Sequence, residues 1–248
     1  MGEASATLPT PVLLLAMPQV LDPFFHRTVV LLVQHEDEGS LGFIVNRPTG
    51  IRISEILKGM EVTWQGRDET VAYFGGPVQP QLGTVLFEPP GGGGDGAFQV
   101  ATPGTSGDAA APGAPGAPAT PGTPLGAGSD SGAAAGGKAR ASAGFQGEAT
   151  TEVLAGVSLT QHVGDLARLA EAPPERFRLF LGYAGWGAGQ LIEEILRNDW
   201  LTAPARGDLI FAPDPDRVWA AALESVGVDP ATLPSWTPSG GDGKEIAN

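Results

Sequence analysis

Apolar residues in this chain fall in short runs broken by polar, glycine- and proline-bearing turns. Residues 11–17 form the first run; no Lys or Arg precedes it, and Pro18 and Gln19 follow directly. That pattern predicts a first β-strand and not a signal peptide, which needs a basic start and a longer apolar centre. Residues 29–33 are apolar, 34–40 are polar with Gly39, 41–45 are apolar again, and Asn46-Arg47-Pro48 stops them. Two apolar runs around a polar turn predict a β-hairpin whose second strand ends at Pro48. Ile53, Ile56, Leu57 and Met60 recur at i, i+3, i+4 and i+7, which predicts a short amphipathic helix closing at Gly59 or shortly after. Residues 71–74 and 83–87 read as further strands, separated by the turn Gly75-Gly76-Pro77-Val78-Gln79-Pro80.

Toward the C-terminus, residues 153–159 read as a strand. Thr160 then caps a helix that buries Val163, Leu166 and Ala170 and ends before Pro173-Pro174. Residues 177–181 read as a strand, 182–187 as a glycine-rich turn, 190–198 as a helix and 208–211 as another strand. Asp214-Pro215 gives an N-cap acid followed by proline in the first turn, opening a helix over 216–226. That helix buries Val218, Trp219, Ala222 and Leu223 and ends at Gly227.

Between these halves the character changes: 41 of the 62 residues from 89 to 150 are Gly, Pro or Ala. A segment with so little large apolar surface cannot offset chain entropy, which predicts a disordered insert. The expected organisation is a flexible N-terminus (1–10), one domain built from 11–88 and 149–234, the insert 89–148, and a flexible tail (235–248). The net charge of −14 argues against a phosphate-tracking surface, and the absence of Cys excludes disulfides, thiolate metal sites and cysteine nucleophiles. No run approaches the roughly 20 apolar residues that span a bilayer, so a cytoplasmic protein without a membrane partner is expected.

Chemical motifs are few. Gly132–Lys138 matches G-x-x-x-x-G-K, but Ala139 stands where a P-loop needs Ser or Thr, and the flanks are low-complexity. The stretch Gly185-Trp186-Gly187-Ala188-Gly189-Gln190 lies between a strand and a helix, yet has Gln190 in place of the third dinucleotide-binding glycine. Backbone N–H groups there would suit an anion or carboxylate; tight strand-to-helix packing is the alternative. Adjacent Glu193 and Glu194 point about 100° apart on a helix, which reads as a solvated face and not an acid–base pair. His26, His35 and His162 have no metal-ligand spacing, and no G-x-S-x-G occurs. No catalytic residue, cofactor or metal is therefore expected. The candidate binding residues are polar groups in tight turns: Asn46, Arg47, Gly75, Gly76, Pro77, Tyr183, Trp186, Gln190 and Glu194. Arg47 either forks a carboxylate or phosphate, or forms a structural salt bridge.

These segments resemble the YqgE/AlgH family of bacterial proteins. The resemblance rests on Leu15-Ala16-Met17-Pro18, on Asp22-Pro23-Phe24-Phe25-His26-Arg27-Thr28-Val29-Val30, and on His35 with Gly39-Ser40-Leu41-Gly42. It continues through Asn46-Arg47-Pro48, Phe74-Gly75-Gly76-Pro77-Val78, Gly182-Tyr183-Ala184-Gly185-Trp186 and Gly189-Gln190-Leu191, then Glu194, Trp200-Leu201 and Trp219. It runs from about Leu13 to Leu233 and skips the insert, which typical members lack. Ile192 departs from the family's usual acid after Gly-Gln-Leu; Glu194 fits its second acid. The resemblance implies an α+β fold with a bent, branching mixed sheet forming a pseudo-barrel flanked by helices, in a cytosolic protein whose family has no established activity. The leading expectation is a non-enzymatic binding or regulatory protein with a small-molecule or protein partner. The alternatives are a transcriptional regulator, acting directly or through a partner, and an enzyme of unknown reaction using Asn46, Arg47, His35 or Glu194. The charge and the lack of a basic helix disfavour direct nucleic-acid binding. Sequence leaves the oligomeric state open.

Overall fold

The computed structural model describes residues 8–89 and 150–234. The expected insert and flexible ends lie almost wholly outside them. Ten strands form one sheet: β1 (Val12–Ala16), β2 (Val29–Glu36), β3 (Gly39–Ile44), β4 (Pro48–Arg52), β5 (Val71–Phe74), β6 (Val78–Phe87), β7 (Thr151–Leu154), β8 (Val157–Thr160), β9 (Phe177–Gly187) and β10 (Trp200–Pro204). The helices are α1 (Ile53–Lys58), α2 (Val163–Glu171), α3 (Gln190–Leu196), α4 (Gly207–Ile210) and α5 (Pro215–Ser225), with a 3₁₀ turn at Pro230–Thr232.

The main path runs β10-β1-β2-β3-β9-β6-β8-β7, and β5 with its partner β4 branches from β9. The 11-residue β9 makes this possible by serving different neighbours along its length. Its far end pairs antiparallel with β3, from Gly42↔Ala184 to Gly39↔Gly187. Its near end pairs antiparallel with β6 and parallel with β5, where Tyr73 faces Phe180. At the fork, Gly182 has φ +70, and a Cβ on Gly76 would lie 2.1 Å from the Tyr183 carbonyl carbon. Only glycine accommodates both demands. The result is the bent, branched, mostly antiparallel half-barrel that the family resemblance implied, flanked by helices.

Side chains alternate across each strand, and here both faces are covered. Leu13, Leu15, Val29, Leu31, Phe43 and Phe180 point to a core closed by Trp219 and Leu223 of α5. Leu14, Val30, Leu32 and Ile44 point the other way, against Trp186, Leu191 and Trp200. A third cluster joins Ile53 and Leu57 of α1 with Leu166 and Leu169 of α2 over Val85 and Leu179. Double-sided burial explains why β1 and β2 read as continuous apolar runs and not as alternation.

Several expectations are corrected. Pro48 opens β4 and does not close the preceding strand, because β3 already ends at Ile44. Residues 153–159 are the inner parts of a hairpin turning at Gly156, whose φ of +76 breaks the extended run. Thr160 belongs to β8, and α2 starts after His162 without a side-chain cap; Val163 is 55% exposed, and Leu166 and Ala170 are buried. Residues 182–187 continue β9, since glycines there allow close strand pairing with β3. Residues 208–211 lie in and just after α4, which starts after Arg206, and β4 and β10 are strands that the pattern did not predict. Met60 is 40% exposed, two residues past the end of α1. The helix α5 buries Val218, Trp219, Ala222 and Leu223 as predicted, and Asp214 caps it by accepting from the Asp216 N–H at 3.2 Å.

Candidate functional site

The sequence-predicted residues gather in two places. The first surrounds the turn before β2. Asn46 is buried two residues after the end of β3, where its Oδ1 accepts the Val29 N–H at 2.9 Å and its Nδ2 donates to the Arg27 carbonyl at 3.0 Å. This pair of bonds grips Arg27 in a left-handed conformation, φ 53, that a non-glycine residue holds only when its surroundings impose it. The Arg47 guanidinium donates to the His26 carbonyl, and the Arg47 carbonyl accepts the Phe74 N–H at 2.7 Å. Gly75 bridges Ile44 and Leu181 through its backbone, each bond 2.9 Å. Gly76 packs on the Tyr183 backbone, and Pro77 is exposed. Tyr183 lies 1% exposed in the core with its hydroxyl unpartnered, and burial pushes its pKa up.

The second place is the far end of β9. Glu194 Oε2 accepts from the indole N–H groups of Trp186 at 2.9 Å and Trp200 at 2.8 Å. Its Oε1 accepts from the Gln190 amide at 2.9 Å, and Gln190 Oε1 in turn accepts the Gly187 N–H at 3.0 Å. Trp186 and Trp200 meet edge-on at 5.8 Å, and Phe25 packs on both. Glu193 does lie on the solvated face of α3. Glu194 does not: it turns inward, one residue further round the helix, and ties α3, β9 and β10 together. The Gly187 N–H considered for an anion is occupied by Gln190.

A third feature went unread in the sequence. A cleft of about 750 Å³ opens between residues 64–71, 173–178 and 208–213. Arg178, on β9, lines it and is only 5% exposed. Its guanidinium lies 4.0 Å over the Tyr73 ring, donates to the Ala212 carbonyl at 2.6 Å, and reaches the Val45 carbonyl at 3.4 Å. Desolvation by burial pulls its pKa down, an effect that Tyr73 partly opposes. Among the described residues no carboxylate pairs with it. The side walls are apolar, with Trp64 and Phe177 ring centroids 5.3 Å apart. At the rim Arg176 pairs with Glu88 at 2.6 Å. Asp208, also in the lining, forms a two-pronged pair with Arg206 that holds its carboxyl below the usual range.

The AlgH-like family model matches residues 13–109 and 130–231. The chain belongs to the AlgH-like family. It is 33% identical over 225 residues to a UPF0301 protein of Methylococcus capsulatus, covering 90% of this chain and 91% of that one. A UPF0301 protein of Myxococcus xanthus is 30% identical over 224 residues, covering 90% and 93%. The solution structure of AlgH from Pseudomonas aeruginosa superposes with TM-score 0.58 at 27% identity, over 96% of this chain and 98% of that one. A Corynebacterium diphtheriae protein shares the fold, with TM-score 0.55 at 20% identity over 92% and 91%.

Within this AlgH-like chain the recognisable motif residues mostly bond to one another. Arg178 lies outside them. A signal for it existed: Phe177-Arg178-Leu179-Phe180-Leu181 places one charge inside an otherwise apolar strand. A buried cation in such a run needs a partner or a purpose. Trp64 gave no comparable signal, because it sits in a loop with no periodicity.

Proposed function

We propose that this AlgH-like protein is a non-enzymatic binding protein that holds an anionic small molecule in the cleft at Arg178. The observation that carries the reading is a buried guanidinium, without a carboxylate partner among the described residues, lining a cleft of about 750 Å³. Burying an uncompensated cation costs several kcal/mol, and a fold keeps one where something else supplies the opposite charge. The cleft's volume falls within the usual range for small-molecule sites, roughly 300–1,000 Å³. Its lining carries hydrogen-bond donors and aromatic walls and, among the described residues, no Ser, Cys or His; its carboxylates are Glu69, Glu175 and the Arg206-paired Asp208. Capture, and not turnover, is the chemistry this set of side chains favours.

Native mass spectrometry on protein purified gently from its own cells tests this. The expected result is a non-covalent mass excess in the wild type that disappears in the Arg178→Met variant. A clean apo mass in the wild type, or an excess unchanged in the variant, counts against the reading.

A further inference from the structure

The geometry points to a ligand that carries one carboxylate on a flat apolar body, an aromatic or heteroaromatic acid; this rests on the cleft reading above and names what the cleft takes. A guanidinium has five N–H groups; Arg178 spends two on the carbonyls of Ala212 and Val45 and a third on a side-chain hydrogen bond with Tyr73. Two remain, the number that a carboxylate accepts from an Arg fork. The Tyr73 ring covers one face of the guanidinium at 4.0 Å, so an anion meets the group in its own plane.

Fork geometry suits carboxylate and phosphate alike, and charge separates them. Arg176 is tied to Glu88 and Asp208 to Arg206, so each pair is close to neutral. What remains in the lining is Arg178 and Arg67 against Glu69 and Glu175, with Arg67 exposed at the edge. A monoanion balances the one buried cation. A phosphate dianion or a polyphosphate brings a second charge toward Glu69 and Glu175 without a second buried cation to meet it. The walls choose the body. Trp64, Phe177, Tyr73 and Phe211 present aromatic surface beside Arg178, and Pro173, Pro174 and Pro213 stiffen the rim.

Calorimetric titration of the full chain with indole-3-acetate, its neutral amide, inorganic phosphate and adenosine monophosphate tests the class. The acid should bind, and the amide, phosphate and nucleotide should each bind at least about tenfold more weakly. Arg178→Met should lose at least about tenfold in affinity for the acid. Arg178→Lys should lose as much, because a point charge lacks the fork, and it serves if the Met variant folds poorly. Phosphate or nucleotide binding more tightly than the acid, and lost in the Arg178 variants, would overturn the carboxylate class and leave the cleft reading standing. An acid that fails to bind at millimolar concentration also overturns the class. If the native mass spectrum then shows no Arg178-dependent excess, the cleft reading falls with it.

Discussion

At the two ends of β9, charged groups of opposite sign sit among aromatic rings, Glu194 of α3 half-buried and Arg178 of β9 buried, and the fold treats them differently. At the far end Glu194 receives two indole N–H groups and an amide, so its lone pairs are filled from within the fold. At the near end Arg178 has the Tyr73 side chain and two carbonyls, keeps two N–H groups spare, and faces a cleft. The lesson concerns where function is sought. Hydrogen-bonding capacity consumed inside the fold is a structural device, whereas capacity left over at a cavity is where a ligand finds a partner.

Substitutions separate the two. The largest effect should come from Glu194→Ala, which strands the indole N–H groups of Trp186 and Trp200, both almost fully buried. A loss of about 2–4 kcal/mol in a urea melt is expected, with Glu194→Gln losing roughly half because one oxygen still accepts. Asn46→Ala removes both bonds that hold the Arg27 turn and should cost about 1–3 kcal/mol in the same melt. Arg178→Met should cost less than Glu194→Ala: removing an uncompensated buried cation offsets the loss of a donor to the Val45 and Ala212 carbonyls, for a net change within about 2 kcal/mol. If Arg178→Met instead unfolds the protein as Glu194→Ala does, the contrast between the two ends is gone.

Acid should have the smallest effect at mild pH. Asp165 is a second internally saturated carboxylate, accepting from Thr150 and Thr160 at 3.0 Å each and from Arg168. Burial alone would raise its pKa, but these hydrogen bonds and the Arg168 charge outweigh that and hold it below the usual range. A carboxyl depressed in the folded state stabilises fully above its unfolded-state value and loses that contribution as pH falls through the folded one. Stability measured from pH 7 downward should therefore hold until about pH 4 and then decline. Asp165→Asn should flatten part of that decline, and an unchanged profile would contradict the assignment.

Sequence made the frame legible where local rules act alone. The Asp214-Pro215 start of α5 and its four buried positions followed from capping and 3.6-residue periodicity. It failed along 182–187, where glycines that read as a turn in fact let β9 lie against β3, a choice made by a partner nearly 150 residues away. The same distance hid the roles of Asn46 and Glu194: the residues that saturate them come from other elements. The cleft was less legible still. It is assembled from three segments far apart in the chain, and only the lone charge in residues 177–181 hinted at it.

The most direct test uses the tryptophans as reporters, since Trp64 lines the cleft while Trp186 and Trp200 sit in the Glu194 clamp. Their indole N–H signals should be followed by ¹⁵N NMR during titration with indole-3-acetate. The account predicts that the Trp64 signal shifts with saturation, that the Trp186 and Trp200 signals stay in place, and that Arg178→Met abolishes the shift. Movement of the Trp186 and Trp200 signals with Trp64 unmoved would place the ligand at the wrong end of β9 and contradict it.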